Sequence, residues 1–127
     1  MSKEKYMVIY PDGHTEWMET EHDQLVKSCY KVIGCDCVEN VRTFIRNVCL
    51  IVDESGKIKD PPQPHNDLAS SFYRGWYVAG DNIVGPAVVV AIHQVDGDFE
   101  WVPLNKEELY LVQEQIQFYI DCCELPD

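Results

Sequence analysis

Residues 52–75, VDESGKIKDPPQPHNDLASSFYRG, decide how this chain is organised, because a turn and three prolines separate two regular elements there. Proline fixes φ and lacks a backbone N–H, so residues 59–65, KDPPQPH, are incompatible with a helix or a central strand. Asn66 follows them, and asparagine is a preferred helix N-cap. The pattern therefore predicts a rigid connection and then a short helix that ends at Gly75.

Strand-like segments lie on both sides of this connection. They are KYMVIY (5–10), HTEWME (14–19), CDCVENVRTF (35–44), NVCLIVD (47–53), DNIVGPAVVVAIHQV (81–95) and FEWVPL (99–104). The first two flank a Pro-Asp-Gly turn, which predicts a hairpin. The nearly continuous apolar run at 47–53 is typical of a strand in the middle of a sheet, and 99–104 suits a short edge strand.

Two further helices are predicted from capping signals and periodicity. Thr20 and Asp23 resemble a capping box before a helix that ends at Gly34, and Asn105 with Glu108 forms a second box before the C-terminal helix. The order β-β-α-β-β-α-β-α, with hairpins dominant, predicts an α+β fold. We expect one domain over residues 1–127, built on a single antiparallel or mixed sheet with helices mainly on one face.

The charge balance narrows the range of partners. Asp and Glu number 22 against 10 Lys and Arg, a formal net charge of −12, which disfavours binding to a nucleic-acid backbone. Such a surface keeps a protein in solution, and it can also bind a basic partner. No apolar run is long enough to span a membrane, and the N-terminus lacks the apolar segment of a signal peptide. We therefore expect a cytoplasmic protein.

The cysteines and the short motifs indicate neither a metal nor a cofactor. The six cysteines are Cys29, Cys35, Cys37, Cys49, Cys122 and Cys123. Their spacing lacks the paired C-x-x-C or H-x-x-x-H arrangement of a zinc site, so we expect reduced thiols that are buried with apolar side chains. Neither a phosphate-binding P-loop nor a dinucleotide-binding glycine motif is present, and no cofactor is expected.

Four blocks of the sequence resemble one protein family. The blocks are VIGCDCVENV (32–41), VDESGKI (52–58), PHNDLASSFY (64–73) and DNIVGPAVVV (81–90). In order and spacing they are similar to a small domain family of unknown function, carried largely by bacteriophages, prophages and plasmids of Firmicutes. Cys35 departs from the family pattern where a second glycine is usual, and Pro86 follows the glycine of the last block. The resemblance implies an accessory protein of a mobile element and implies no reaction.

An aromatic cluster around Arg74 is the candidate binding site in this acidic chain. A guanidinium group binds phosphate or carboxylate, an aromatic ring stacks a base, and an asparagine amide binds a polar edge. The residues assigned to this site are Arg42, His65, Asn66, Tyr73, Arg74, Trp76 and Asn82. Two alternatives remain: Phe72 and Trp76 can form a core-facing pair four residues apart, and Asn66 can be a helix cap alone.

Three functions are compatible with these features, and the first is preferred. It is a non-catalytic binding protein that counters host immunity by sequestering a small nucleotide signal. The alternative is an inhibitor that binds a host defence protein through its acidic surface or an exposed edge strand. The third is an unrecognised hydrolase that uses His65, although no nucleophile motif supports an enzyme. Tyr110 and Phe118 lie off the apolar stripe of the C-terminal helix, which predicts a homo-oligomer, most simply a two-fold dimer.

Overall fold

A six-stranded antiparallel sheet forms the centre of the protein. The computed structural model describes residues 4–34, 37–43, 45–54, 63–74 and 83–123, and of these the side chains of residues 73, 74, 122 and 123 are not described. The strands are β1 (Glu4–Ile9), β2 (Thr15–Thr20), β3 (Val38–Arg42), β4 (Val48–Asp53), β5 (Ala87–Val95) and β6 (Asp98–Val102). The helices are α1 (Leu25–Ile33), α2 (Asp67–Arg74) and α3 (Lys106–Cys123), with one turn of 3-10 helix, His22–Gln24, before α1. The predicted α+β fold with a single sheet is confirmed, and the sheet is antiparallel throughout. The predicted element order lacks one strand, because β6 forms a second strand between α2 and α3.

Strand β5 lies at the centre of the sheet and is longer than its neighbours. The strand order is β2-β1-β5-β4-β3, and β6 also pairs with β5. On one side β4 pairs with residues 88–91 of β5. On the other side β1 pairs with residues 87–89 and β6 with residues 91–95, so β1 and β6 share that side in succession. The fully apolar stretches of β4 and β5 are therefore buried on both faces, as the sequence predicts for central strands.

Alternating side chains divide the core into two layers, one on each face of the sheet. Helices α2 and α3 cover one face, where Phe72 and Val112 pack with Leu50 and Val89. Helix α1 covers the opposite face, where Leu25, Cys29 and Ile33 pack with Tyr6, Cys49 and Val90. Two of the three helices in the described residues thus share a face, in agreement with the expected placement.

Asn66 is the helix N-cap that the sequence predicts, and its side chain has a second role. Its Oδ1 accepts a hydrogen bond from the backbone N–H of Ala69 at 3.1 Å, which caps α2. Its Nδ2 donates to the carbonyl oxygens of Ile9 at 2.8 Å and Gly85 at 2.9 Å. The side chain is fully buried, so it joins the first turn of α2 to the end of β1 and to the segment that leads into β5.

The backbone around Asn66 is bonded to the same segment. The backbone N–H of Asn66 donates to the Ile83 carbonyl at 2.8 Å, and that of Gly85 donates to the Pro64 carbonyl at 2.8 Å. The Ser70 hydroxyl donates to the Asn66 carbonyl at 2.8 Å and accepts from the Ile83 N–H at 2.8 Å. Asn66 and Ser70, about one helix turn apart, are thus bonded to the segment of residues 83–85, which follows α2 in the chain. The end of the proline-rich connection is therefore held at a defined place.

Of the other predicted helix ends, Gly34 and the Asn105–Glu108 box agree with the structure, and Gly75 lies outside the described residues. Gly34 ends α1 with φ of 73°, a left-handed conformation that glycine adopts without strain. Asn105 and Glu108 form the reciprocal capping box of α3, with both N–H···O distances at 2.8 Å. The box at Thr20 is wrong: Thr20 is the last residue of β2, its hydroxyl donates to the Glu21 carbonyl, and the one-turn 3-10 helix begins between it and α1. The strand continues to Thr20 because β1 pairs with it there.

Replacing Asn66 with aspartate tests its second role. Aspartate retains the capping oxygen, but it places a carboxylate oxygen against two carbonyl oxygens in a buried site. We expect Asn66→Asp to lower the free energy of unfolding by about 3 kcal/mol, as measured by urea denaturation. The matched control is Asn105→Asp at the exposed N-cap of α3, which should change stability by less than about 1 kcal/mol. Equal effects of the two substitutions would show that Asn66 acts only as a cap.

Two buried thiols lie between the sheet and α1. Burial raises the pKa of Cys29 and of Cys49 from 9.0 to about 12. The prediction of buried thiols is confirmed for these two residues and is wrong for Cys37, which is exposed just before β3. The other three cysteines lie outside the described side chains. Burial also raises the pKa of Tyr6, although a hydrogen bond with the Ser28 side chain opposes this.

The raised thiol pKa values predict a loss of stability in alkaline solution. A thiol with a folded-state pKa near 12 stabilises the protein fully below pH 9, and that contribution falls as pH rises because only the unfolded chain releases the proton. The fall is about 1.4 kcal/mol per pH unit for each thiol. The urea midpoint of Cys49→Ala should therefore decrease less steeply between pH 9 and 10.5 than that of Cys37→Ala, the exposed control. Parallel slopes would contradict the raised pKa.

Candidate functional site

Asn66 is not available to a ligand, although the sequence places it in the candidate binding site. Its amide and carbonyl groups are all engaged with the backbone, and no part of the side chain reaches solvent. Phe72, from the aromatic cluster that motivated the site, is buried in the core with α3. Asn66 is thus a helix cap with a second structural role, and Phe72 is a core residue, while Trp76, the other member of the proposed core-facing pair, lies outside the described residues.

The structure does not bring the remaining described site residues together. His65 is exposed and forms an isolated antiparallel bridge with Val84, next to the start of α2. Arg42 is exposed on β3 directly opposite Cys49, whose side chain packs on the α1 face. Directly opposed residues share a face, so Arg42 and α2 lie on opposite faces of the sheet. The side chains of Tyr73 and Arg74, and all of Trp76 and Asn82, lie outside the described residues.

An open groove lies between α1 and β6. It has a volume of about 430 Å³. We call it the α1–β6 groove, and it is lined by His22, Asp23, Val26, Tyr30, Phe99, Glu100 and Trp101. Four of these residues are apolar or aromatic, two are acidic, and none is lysine or arginine.

Local structure explains how the sequence forms this groove. Asp96 and Gly97 have φ of 51° and 88°, so the β5–β6 hairpin turns in two residues with positive φ, the geometry that matches strand twist. Alternation along β6 then places Phe99 and Trp101 on the α1 face and Val102 on the opposite face, in the core with α3. On α1, Val26 and Tyr30 are four residues apart and share one side of the helix.

Phe99 is the most exposed large apolar side chain among the described residues, at 71% of its maximum. Trp101, two residues further along β6, is half-buried and packs against the core beneath α1. The groove therefore contains one aromatic side chain that is held against the core, Trp101, and one that is mostly exposed to solvent, Phe99. Exposed aromatic side chains beside a concave surface are typical of binding sites for other proteins.

The rim of the groove is negatively charged. Asp23, in the 3-10 turn, is an exposed carboxylate on one side of the groove. Glu100 of β6 also lines the groove, although strand alternation places its side chain on the α3 face. The Nδ1 atom of His22 lies 3.6 Å from the Oε1 atom of Glu4. The field of the whole chain, with its formal charge of −12, has the same sign. The groove is therefore suited to cationic groups and unsuited to phosphate.

A second polar cluster joins β5 to the start of α3. His93 Nε2 lies 2.5 Å from Glu108 Oε2, while Glu108 Oε1 accepts from the Asn105 N–H. Glu108 is only 5% exposed, and these contacts use both of its oxygens. The cluster positions α3 on the sheet. In the described ranges no group of three or more His, Cys, Asp or Glu residues is arranged to hold a metal ion.

The outer face of α3 is a second exposed apolar surface. Tyr110, Leu111 and Phe118 are exposed there, with Tyr110 at 62%, and Glu107 and Glu114 lie on the same arc of the helix. The Tyr119 side chain is buried in the core instead. The centroids of the Tyr119 and Phe118 rings lie 5.5 Å apart, in an edge-on arrangement. In the part of the chain that is described, no helix is both long and apolar enough to cross a membrane.

No motif in the sequence identifies the α1–β6 groove as a site. The pattern of residues 99–104 predicts an edge strand, and Asp23 is part of a predicted capping box. A signal was present in the segment DFEWV, where two aromatics alternate with three residues that include two acids. That alternation predicts a strand with one aromatic face, but it does not identify the helix that completes the groove.

A family model described as "Domain of unknown function (DUF3846)" matches residues 4–123. No curated protein and no solved structure matches the chain. The match extends beyond the four blocks noted in the sequence, since it includes β1, β2, β6 and α3.

Proposed function

Given that the chain belongs to the DUF3846 family of domains of unknown function, we propose that it is a non-catalytic protein-binding module. Its α1–β6 groove captures a basic and partly apolar segment of another protein. The observation that carries this proposal is Phe99, an aromatic side chain that is 71% exposed at the edge of a concave, acidic surface.

The composition of the groove supports a protein partner. Interfaces are enriched in tyrosine, tryptophan and phenylalanine, and a few such residues provide most of the binding energy. Tyr30, Phe99 and Trp101 place one of each type around one groove. The aromatic faces also attract lysine and arginine through cation–π contacts, which the acidic rim strengthens.

The charge of the chain supports a basic partner and a fast encounter. A formal charge of −12 attracts a positively charged segment over several ångströms and repels acidic proteins. That attraction is screened by salt, since the Debye length falls to about 3 Å at 1 M ionic strength. We therefore expect association to slow as salt is added, while the apolar contacts persist.

The nucleotide-sequestration hypothesis depends on different residues. The acidic rim of the groove opposes a phosphate ligand, so a nucleotide site would have to be formed by Tyr73, Arg74, Trp76 and Asn82. Those side chains lie outside the described part of the chain, and the hypothesis stays a prediction. The hydrolase hypothesis also stays a prediction. So do an origin in a mobile element and a host defence protein as the natural target.

Binding of a short peptide tests the proposal. The probe is a fluorescent, end-capped peptide of eight residues in which lysine and valine alternate, titrated by fluorescence anisotropy. Phe99→Ser should weaken binding about tenfold, because one interface aromatic contributes more than about 1 kcal/mol. Tyr110→Ser is the matched control: it also removes an exposed aromatic without changing net charge, and it should alter affinity less than twofold.

The two variants separate groove binding from general attraction to an acidic protein. Both retain the charge of the wild type, so purely electrostatic adsorption would be equal in all three proteins. If Phe99→Ser binds the peptide as well as Tyr110→Ser does, the proposed function is wrong. A glutamate–valine peptide of the same length should not bind any of them.

Self-association through α3 is a separate prediction. Tyr110 and Leu111 are exposed on its outer face, and a two-fold dimer would bury them between chains. Glu107 and Glu114 lie on the same face, so the dimer should tighten as salt screens their repulsion. Light scattering at low and high salt measures this, and a monomer at high micromolar concentration in both would contradict it.

A further inference from the structure

We infer that the α1–β6 groove receives its partner as an additional antiparallel β-strand along the outer edge of β6, and that this strand alternates basic and apolar residues. The inference rests on the proposed function and specifies how the partner is bound. It follows from the register of the β5–β6 hairpin, from the face on which each β6 side chain lies, and from the charges along β6.

The register of the hairpin directs the backbone groups of Phe99 and Trp101 outwards. Trp101 is directly opposite Ile92, whose N–H donates to the Asn47 carbonyl at 2.7 Å, on the side towards β4. Because Ile92 does not direct its N–H at Trp101, the two form a non-hydrogen-bonded pair. Such pairs alternate along an antiparallel ladder, so Phe99, opposite Gln94, belongs to the same class.

The N–H and C=O groups of Phe99 and Trp101 therefore point away from β5. Within the described ranges, no strand pairs with β6 on that side, since residues 98–102 pair with β5 alone and the bridge from Lys5 is to Leu104. Four backbone groups on one edge thus match the hydrogen-bonding pattern of an added strand. The same two residues contribute the aromatic side chains of the groove.

Alternation then determines which side chains the partner presents. In an antiparallel addition, partner residues that exchange hydrogen bonds with Phe99 and Trp101 lie directly opposite them and share their face. Those residues contact aromatic rings and should be apolar. The intervening partner residues lie on the α3 face, next to Asp98 and Glu100, and should be lysine or arginine.

The acidic residues of β6 also argue against a second copy of this chain as the added strand. Asp98 and Glu100 lie on one face of β6, so pairing two β6 strands would bring carboxylates together across the new ladder. Like charges directly opposite each other destabilise a strand pair. A basic strand has the opposite charge at those positions, which selects a different protein as the partner.

N-methylation of the probe peptide tests strand addition, because a methyl group replaces the N–H that the ladder requires. Two versions of the lysine–valine peptide carry the same number of N-methyl groups, either on every valine or on every lysine. Valine N–H groups would point at β6, and lysine N–H groups would point away from it. The valine-methylated peptide should bind about tenfold or more weakly, and the lysine-methylated peptide within about threefold of the parent.

The results distinguish this inference from the proposed function. Equal affinities of the two methylated peptides, or a stronger loss with methylated lysines, would overturn antiparallel strand addition. If those peptides still discriminate Phe99→Ser from Tyr110→Ser, the groove remains the binding site and only the binding mode is wrong. Loss of that discrimination in the unmodified peptide overturns both.

Discussion

The hydrogen bonds of the Asn66 side chain are the constraint on which the arrangement of the fold depends. One amide group caps α2, bonds the last carbonyl of β1 and bonds the segment that enters β5. These three elements come from distant parts of the chain, and the site is fully buried. In the described part of the protein, no buried side-chain nitrogen or oxygen lacks a hydrogen-bond partner. Because every hydrogen-bonding group of this buried side chain has a partner, it favours one arrangement of the three elements. Any other arrangement would leave buried carbonyl groups without a hydrogen bond.

The position of β5 follows from that constraint and produces the candidate site. With its first residues held beside β1, the strand is long enough to continue past it and to pair with β6 on the same side. The hairpin therefore projects beyond the β1–β2 pair. Helix α1 lies across the face at this point and packs against β4, β5 and β6. The space between the helix and the projecting hairpin is the α1–β6 groove.

The outer face of α3 and the α1–β6 groove are both exposed apolar surfaces, but they differ in the kind of partner that can bind them. On α3 the apolar residues lie on a rigid helix face beside two glutamates, with no open backbone groups. On β6 the apolar residues coincide with outward backbone groups and with a concave surface. Natural edge strands are often protected against unwanted strand pairing by lysine, proline or a bulge. Strand β6 contains neither lysine nor proline. Its acidic residues instead restrict pairing to a strand of opposite charge.

The sequence by itself determined the local structure and the fold class. Apolar runs identified the central strands, the aspartate–glycine turn and alternation indicated the β6 edge strand, and Asn66, Gly34 and the Asn105–Glu108 box marked helix ends. These features depend on φ/ψ preference and on hydrogen bonds within a few residues, which a local pattern contains. The failed box at Thr20 shows the limit, since pairing with β1 extends β2 over it.

Only the tertiary structure decided the candidate site. The second role of Asn66 requires the Ile9 carbonyl, 57 residues away in the chain. The groove requires Val26 and Tyr30 of α1 to lie beside Phe99 and Trp101 of β6. Each segment has an ordinary amphipathic pattern that is equally consistent with a core face. Which apolar side chains remain exposed depends on how helices and strands pack over the whole sheet, and no local pattern encodes that.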